Sequence, residues 1–122
     1  MDRLLKYGLM FYLVFFSTCV QAQFENIRIQ LHEPTVTQEE AELLKQIVDL
    51  SGEDPEKAIE LLTAAITPET SPALDFALGN FYFQKGELNL AEDSYRRSVE
   101  KMPLFNRARA NLGRTLIMQN KI

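Results

Sequence analysis

From residue 37 to the end of the chain, apolar side chains recur every three or four positions, the period of one face of a helix. Thr37-Gln38-Glu39-Glu40 has the form of a capping box. In it the Thr37 hydroxyl accepts from the Glu40 amide and the Glu40 carboxylate reaches back to the Thr37 amide. Behind it, Ala41, Leu44, Ile47 and Val48 share a face, and Gly52 supplies a stop that tolerates positive φ. Asp54-Pro55 opens a second helix, since proline at the first helical position lacks only an amide that would be unpaired there. Its apolar face is Ala58, Ile59, Leu61, Leu62, Ala65 and Ile66, with Pro68 beyond its end. Ser71-Pro72 repeats the start signal for a third helix, which carries Leu74, Leu78, Phe81 and Tyr82 and ends at Gly86. A fourth runs from about Leu88 to Lys101 with Ala91, Tyr95 and Val99 inward, closed by Met102-Pro103. A fifth begins near Phe105 and carries Ala108, Leu112 and Leu116. The class predicted is all-α.

The helices also resemble one another. Leu78-Gly79 and Leu112-Gly113 lie 34 residues apart, while Ala58 and Ala91, Leu62 and Tyr95, and Ala65 and Ser98 lie 33 apart. A helix–turn–helix unit repeating near that period is the mark of stacked helical repeats. Residues 72–105 place Leu78, Gly79, Tyr82, Gly86, Ala91, Tyr95, Ser98 and Pro103 at offsets that resemble the tetratricopeptide-repeat family. Asp75 stands where that family usually has tryptophan. Residues 38–71 resemble a degenerate repeat, with Lys45 in place of the glycine and a turn one residue shorter. Residues 106–122 resemble a partial repeat, with Asn120 at the place of Gly86. The resemblance implies antiparallel helix hairpins stacked as a short right-handed α-solenoid over residues 38–122. Leu116, Ile117 and Met118 leave the last helix more apolar than the usual polar end of a solenoid. Either a partner covers that helix or the sequence is a fragment of a longer array.

The start of the chain follows a different pattern. Arg3 and Lys6 precede an uncharged apolar run from Tyr7 to Val20, and Val20-Gln21-Ala22 follows. This is the layout of a secretory signal peptide over residues 1–22, with cleavage after Ala22. The run is shorter than the ~18–20 residues that span a bilayer, so membrane contact is expected only if the segment is retained as an anchor. Cys19 lies within it, and Phe16-Ser17-Thr18 before it does not resemble a lipoprotein signal. Cleavage would leave a mature chain without cysteine. The expected location is the periplasm or the exterior of a bacterial envelope. Residues 23–37 read as an extended linker. Ile27, Ile29 and Leu31 alternate with polar residues there, and the alternative is a strand edge that pairs with a partner's sheet.

Composition narrows the function. A net charge of −4 argues against nucleic-acid binding, which needs a basic face. One histidine and one cysteine leave little for a metal site or a Cys/His nucleophile. His32 reads as a linker residue and Glu33 as a solvated one. Glu39, Glu40 and Glu42, like Glu53, Asp54 and Glu56, sit at helix N-termini, where the helix dipole favours negative charge. No phosphate-binding glycine loop, nucleophile elbow or zinc-protease motif occurs. No catalytic residue, cofactor, metal or small-molecule substrate is expected. The resemblance implies instead a concave groove, lined by the first helix of each hairpin, that holds a peptide of another protein. Phe76, Asn80 and Phe83 form one stripe on the third helix, and Arg107, Asn111 and Arg114 a matching basic one on the fifth. Asn80 would bond a peptide backbone, and Arg107 and Arg114 a carboxylate. The competing reading packs the phenylalanines on a neighbouring helix and leaves the arginines solvated. Two further readings stay open: a non-catalytic part of a larger envelope protein, such as an assembly factor or enzyme, and a membrane-anchored helical module.

Overall fold

The computed structural model describes residue 10, residues 20–23 and residues 32–121. Residues 20–23, around the expected cleavage site at Ala22, are helical. Apart from residue 10, the rest of the leader and the alternating Ile27, Ile29 and Leu31 lie outside the described residues. Among the described residues, no helix is long and apolar enough to cross a membrane. The chain divides into two units, residues 1–32 and 33–122. The second holds five helices: α1 (Gln38–Leu50), α2 (Pro55–Ala65), α3 (Pro72–Gln84), α4 (Leu88–Lys101) and α5 (Asn106–Met118). No strand occurs among the described residues.

Local chemistry accounts for the starts of α1, α2 and α3, while α4 and α5 begin without a side-chain cap. Glu40 N donates to Thr37 Oγ1 at 3.1 Å, and Thr37 N donates to Glu40 Oε2 at 2.9 Å, which completes the capping box. Asp54 Oδ1 accepts from Lys57 N at 3.0 Å, and Ser71 Oγ accepts from Ala73 N at 3.2 Å. The helix ends match the sequence less evenly. Gly86 has φ of 78°, as a glycine-closed helix requires. Gly52 does not adopt positive φ. There the chain leaves α1 through consecutive tight turns, with Asp54 N donating to Leu50 O, while the Ser51 hydroxyl caps Val48 O at 2.7 Å.

Ile47, Ala58, Ile59, Leu62, Leu74, Leu78 and Phe81 form one buried cluster joining α1, α2 and α3. Val48 does not join it and is 70 % exposed, because the buried side of α1 is set by Ile47 with Leu43 and Leu44. Ala91, Tyr95, Phe105 and Ala108 are buried where α3, α4 and α5 meet. α3 and α4 run antiparallel. Ser98 Oγ near the end of α4 donates to Pro72 O at the start of α3 (2.9 Å), and Tyr95 OH donates to Asn80 Oδ1 further along (2.7 Å). α5 returns along α4, and Gln119 Nε2 beyond its end donates to Asn89 Oδ1 at the start of α4 (2.6 Å).

The contact between α3 and α4 depends on Gly79. A Cβ there would lie 2.6 Å from Tyr95 Cε1 and 2.7 Å from Tyr95 Cδ1, inside a rigid ring that is itself fully buried. Gly113, 34 residues on, would place a Cβ in open space. The two sites therefore separate overpacking from helix propensity. Gly79→Ala is expected to destabilise by about 1–3 kcal/mol despite the better helix former. Gly113→Ala is expected to stabilise by up to ~1 kcal/mol. Urea denaturation of both variants checks this, and equal shifts for the two would disprove the tight α3–α4 crossing.

Candidate functional site

The six residues expected to line a groove fall into two groups. Asn80, Phe83, Asn111 and Arg114 line one cleft of about 180 Å³, together with Gln84 and Tyr95. α3 supplies Asn80, Phe83 and Gln84, α4 supplies Tyr95, and α5 supplies Asn111 and Arg114. Asn80 and Phe83 sit one turn apart on α3, as Asn111 and Arg114 do on α5, so each helix presents its pair on one side.

Asn80 organises the floor. Its Oδ1 accepts from Tyr95 OH at 2.7 Å and from Asn111 Nδ2 at 3.1 Å. That leaves Asn80 Nδ2 without a hydrogen-bond partner among the described residues. The Arg114 guanidinium likewise has no ion-pair partner among them and is exposed at the rim. The cleft thus offers an amide N–H and a guanidinium beside the Phe83 ring, a donor set suited to an acceptor such as a carboxylate or a peptide carbonyl. Tyr95 was expected only as core, yet its hydroxyl fixes the orientation of Asn80. Nothing in its spacing distinguishes a buried tyrosine used for packing from one that also positions a polar neighbour.

Burial pushes the Tyr95 phenol up to about 12, against the opposing pull of the Asn111 amide and the Arg114 charge. A raised folded-state value means the unfolded chain ionises first. The associated stability is complete below about pH 10 and is lost between there and about 12. A thermal-melt series should therefore fall more steeply over that window in the parent than in Tyr95→Phe, by on the order of 2 kcal/mol at its upper end. Parallel curves would show that the phenol stays hydrated.

Phe76 and Arg107 lie apart from the cleft lining, in a stack. The Phe76 ring is 5.0 Å from the Phe105 ring and 6.0 Å from the Tyr95 ring, both tilted. The Arg107 guanidinium lies over Phe76 at 5.2 Å and over Phe105 at 5.7 Å. Its Nη2 also meets Glu33 Oε2 at 2.6 Å. Glu33 is therefore an ion-pair partner, a correction to its reading as a solvated linker residue. Phe76 serves as packing and Arg107 is partnered, because Phe105, just before α5, buries its ring against Phe76.

Asp75 is the other feature periodicity did not reveal. It is fully buried, and each carboxylate oxygen meets one cation: Oδ1 accepts from Arg97 Nε at 3.2 Å and Oδ2 from Lys101 Nζ at 2.6 Å. Lys101 Nζ also donates to Thr67 O at 2.8 Å, tying α4 to the loop before α3. The acidic residues at the starts of α1 and α2 serve structure both within and between elements, Glu56 pairing with Lys85 beyond the end of α3. Glu40 and Asp54 cap their helices, and Glu40 Oε1 further accepts from Ser71 N at 2.8 Å. The Ser71 and Thr37 amides hold the Glu40 carboxyl below its ordinary range. No three His, Cys, Asp or Glu side chains among the described residues converge as a metal site. Compared with protein-family models, curated proteins and solved structures, the chain finds no match.

Proposed function

We propose that this chain is an exported, non-catalytic scaffold of tetratricopeptide-repeat type that binds a peptide of another protein in the cleft between α3 and α5. The observation that carries the reading is the free donor pair of Asn80 Nδ2 and Arg114 beside Phe83, held in a preformed cleft. Asn80, fixed by Tyr95 and Asn111, loses little freedom on binding and so favours a ligand acceptor over water, and Arg114 adds charge at the rim.

The repeat assignment draws support from within the chain. After α3, Lys85 N donates to Phe81 O, Gly86 N to Phe83 O and Glu87 N to Tyr82 O. After α5, Gln119 N donates to Thr115 O, Asn120 N to Ile117 O and Lys121 N to Leu116 O, each bond displaced by 34 residues. Gly86 and Asn120 both have positive φ, 78° and 57°. Asparagine is the side-chain-bearing residue that tolerates this conformation best, so two different residues serve one repeated turn. The basic start, the uncharged apolar run and Val20-Gln21-Ala22 support export with cleavage after Ala22.

The reading is tested with a library of peptides carrying free or amidated C-termini, titrated against the parent chain and the Asn80→Ala/Arg114→Ala pair. A charge-assisted hydrogen bond is worth about 1.5–3 kcal/mol. The pair is therefore expected to weaken binding at least ~10-fold; Asn80→Ala also strips the buried Tyr95 hydroxyl of its acceptor, so Arg114→Ala alone, at an exposed residue, is the variant expected to weaken binding with an unchanged melting temperature. Unaltered binding by the pair would remove the cleft as the ligand site.

A further inference from the structure

The short segment before α1 reaches across to α5. Glu33 belongs to the helical unit, and its Oε2 meets Arg107 Nη2 at 2.6 Å across a sequence separation of 74 residues. Thr35, Val36 and Thr37 border a hollow shared with Thr70, Ser71 and Pro72. The chain therefore runs from the start of α5, past the start of α3, to the start of α1. Its α1 end is fixed, since Thr37 N donates to Glu40 Oε2 and Glu40 Oε1 accepts from Ser71 N at 2.8 Å. From Thr37, four residues reach at most ~14 Å, and Pro34 among them has a restricted φ. So short a tether keeps the Glu33 carboxylate near Arg107 at an effective concentration of millimolar order.

Arg107 is one of the two arginines suited to a ligand's carboxylate. Its guanidinium lies over the Phe76 and Phe105 rings, and the carboxylate it meets is the chain's own. Arg114, the other, is exposed and has no ion pair among the described residues. The two stand seven residues apart on one side of α5, about 10 Å along the helix. About three residues of extended peptide span that distance. A peptide with an acceptor at Arg114 can thus bring an acidic side chain to Arg107, where Glu33 stands. The Glu33–Arg107 pair is partly exposed and solvent-screened, so it opens readily to a ligand that is also held in the cleft. A free carboxylate well below the tether's effective concentration does not displace it.

On the reading of α3 and α5 as a peptide-binding face, we infer that Glu33 is an internal stand-in for the ligand, a latch that occupies Arg107 and holds off acidic peptides that do not also fill the cleft. An acidic ligand binds Arg107 only in the fraction of molecules whose latch is open, and its apparent affinity falls by that fraction. For a surface ion pair the reduction is about 2–6-fold.

The probe is acetyl-tetraglutamate amide, titrated into the isotope-labelled full chain while the Arg107 Nε–H signal is followed by NMR. In Glu33→Gln that signal is expected to saturate at an about 2–6-fold lower peptide concentration than in the parent. Glu39→Gln makes the same charge change at an exposed carboxylate of α1 and should titrate like the parent. Arg114→Ala removes the cleft cation, and adding Glu33→Gln to it should give the same gain, which scores the latch apart from the cleft. Equal titration of the parent and Glu33→Gln, no response of Arg107 in Glu33→Gln, or an equal gain in Glu39→Gln would overturn the inference. A gain in Glu33→Gln beside a cleft that binds no peptide of the library would support the latch and count against the cleft alone.

Discussion

Asp75→Ala is expected to destabilise the helical unit by about 3–5 kcal/mol, the usual range when one member of a buried ion pair is removed. The carboxylate has no exposed surface and uses both oxygens, one on Arg97 and one on Lys101. The two cations are not equally placed. The Lys101 side chain is 16 % exposed and the Arg97 side chain 46 %. Without Asp75, Arg97 can turn to water and loses little, whereas Lys101 is left with Thr67 O and the Thr70 hydroxyl as neutral acceptors. Most of the cost therefore falls on Lys101 and on the desolvated gap at position 75. Arg97→Ala should cost less than ~1 kcal/mol, as for a solvent-screened pair. A double-mutant cycle of Asp75→Ala with Lys101→Ala measures the coupling by urea denaturation. A coupling near zero, with Asp75→Ala itself mild, would mean that Asp75 is hydrated and that α4 is held to α3 by apolar packing alone.

Asp75 also shows where sequence reading stops. The starts of α1, α2 and α3 are legible because their signals are local: Thr37 with Glu40, Asp54 with Pro55, and Ser71 with Pro72 all act within a single turn. The 34-residue spacing is legible because the same Leu-Gly pair and the same turn recur along the chain. Asp75, by contrast, was visible only as a residue out of pattern. Its partners lie 22 and 26 residues away, and helical periodicity says nothing about which charge on α4 faces which on α3. Val48 fits the apolar stripe of α1 by spacing yet points outward, because a stripe of four positions is broader than the side that α2 and α3 cover. The groove residues divide for the same reason. Asn80, Phe83, Asn111 and Arg114 share a cleft because their helices run side by side. Phe76 and Arg107 are drawn off by Phe105 and Glu33, one at a helix boundary and the other in the lead-in, where periodicity has no purchase.

Phe105→Ala is the second large effect expected, at about 3–5 kcal/mol for deleting a fully buried aromatic ring. Phe105 occupies the position before α5, and its carbonyl accepts from Arg109 N at 3.1 Å as the helix begins. Its side chain has no exposed surface, and it packs against Phe76 under the Arg107 guanidinium. Truncation removes the ring from beneath the cation and opens a void that Phe76 alone cannot fill. Since α5 supplies Asn111 and Arg114, the loss also loosens one wall of the cleft. Domains of this size shift by roughly 4–8 °C per kcal/mol, so the melting temperature should fall by about 12 °C or more. Phe105→Leu keeps most of the volume and should cost under ~1.5 kcal/mol. Arg107→Ala, which removes only the exposed cation, should cost about 0.5–1 kcal/mol. Thermal denaturation of the three variants orders these contributions. If Arg107→Ala matched Phe105→Ala, the cation and its Glu33 partner, and not the buried ring, would be what seats α5 on the helices before it.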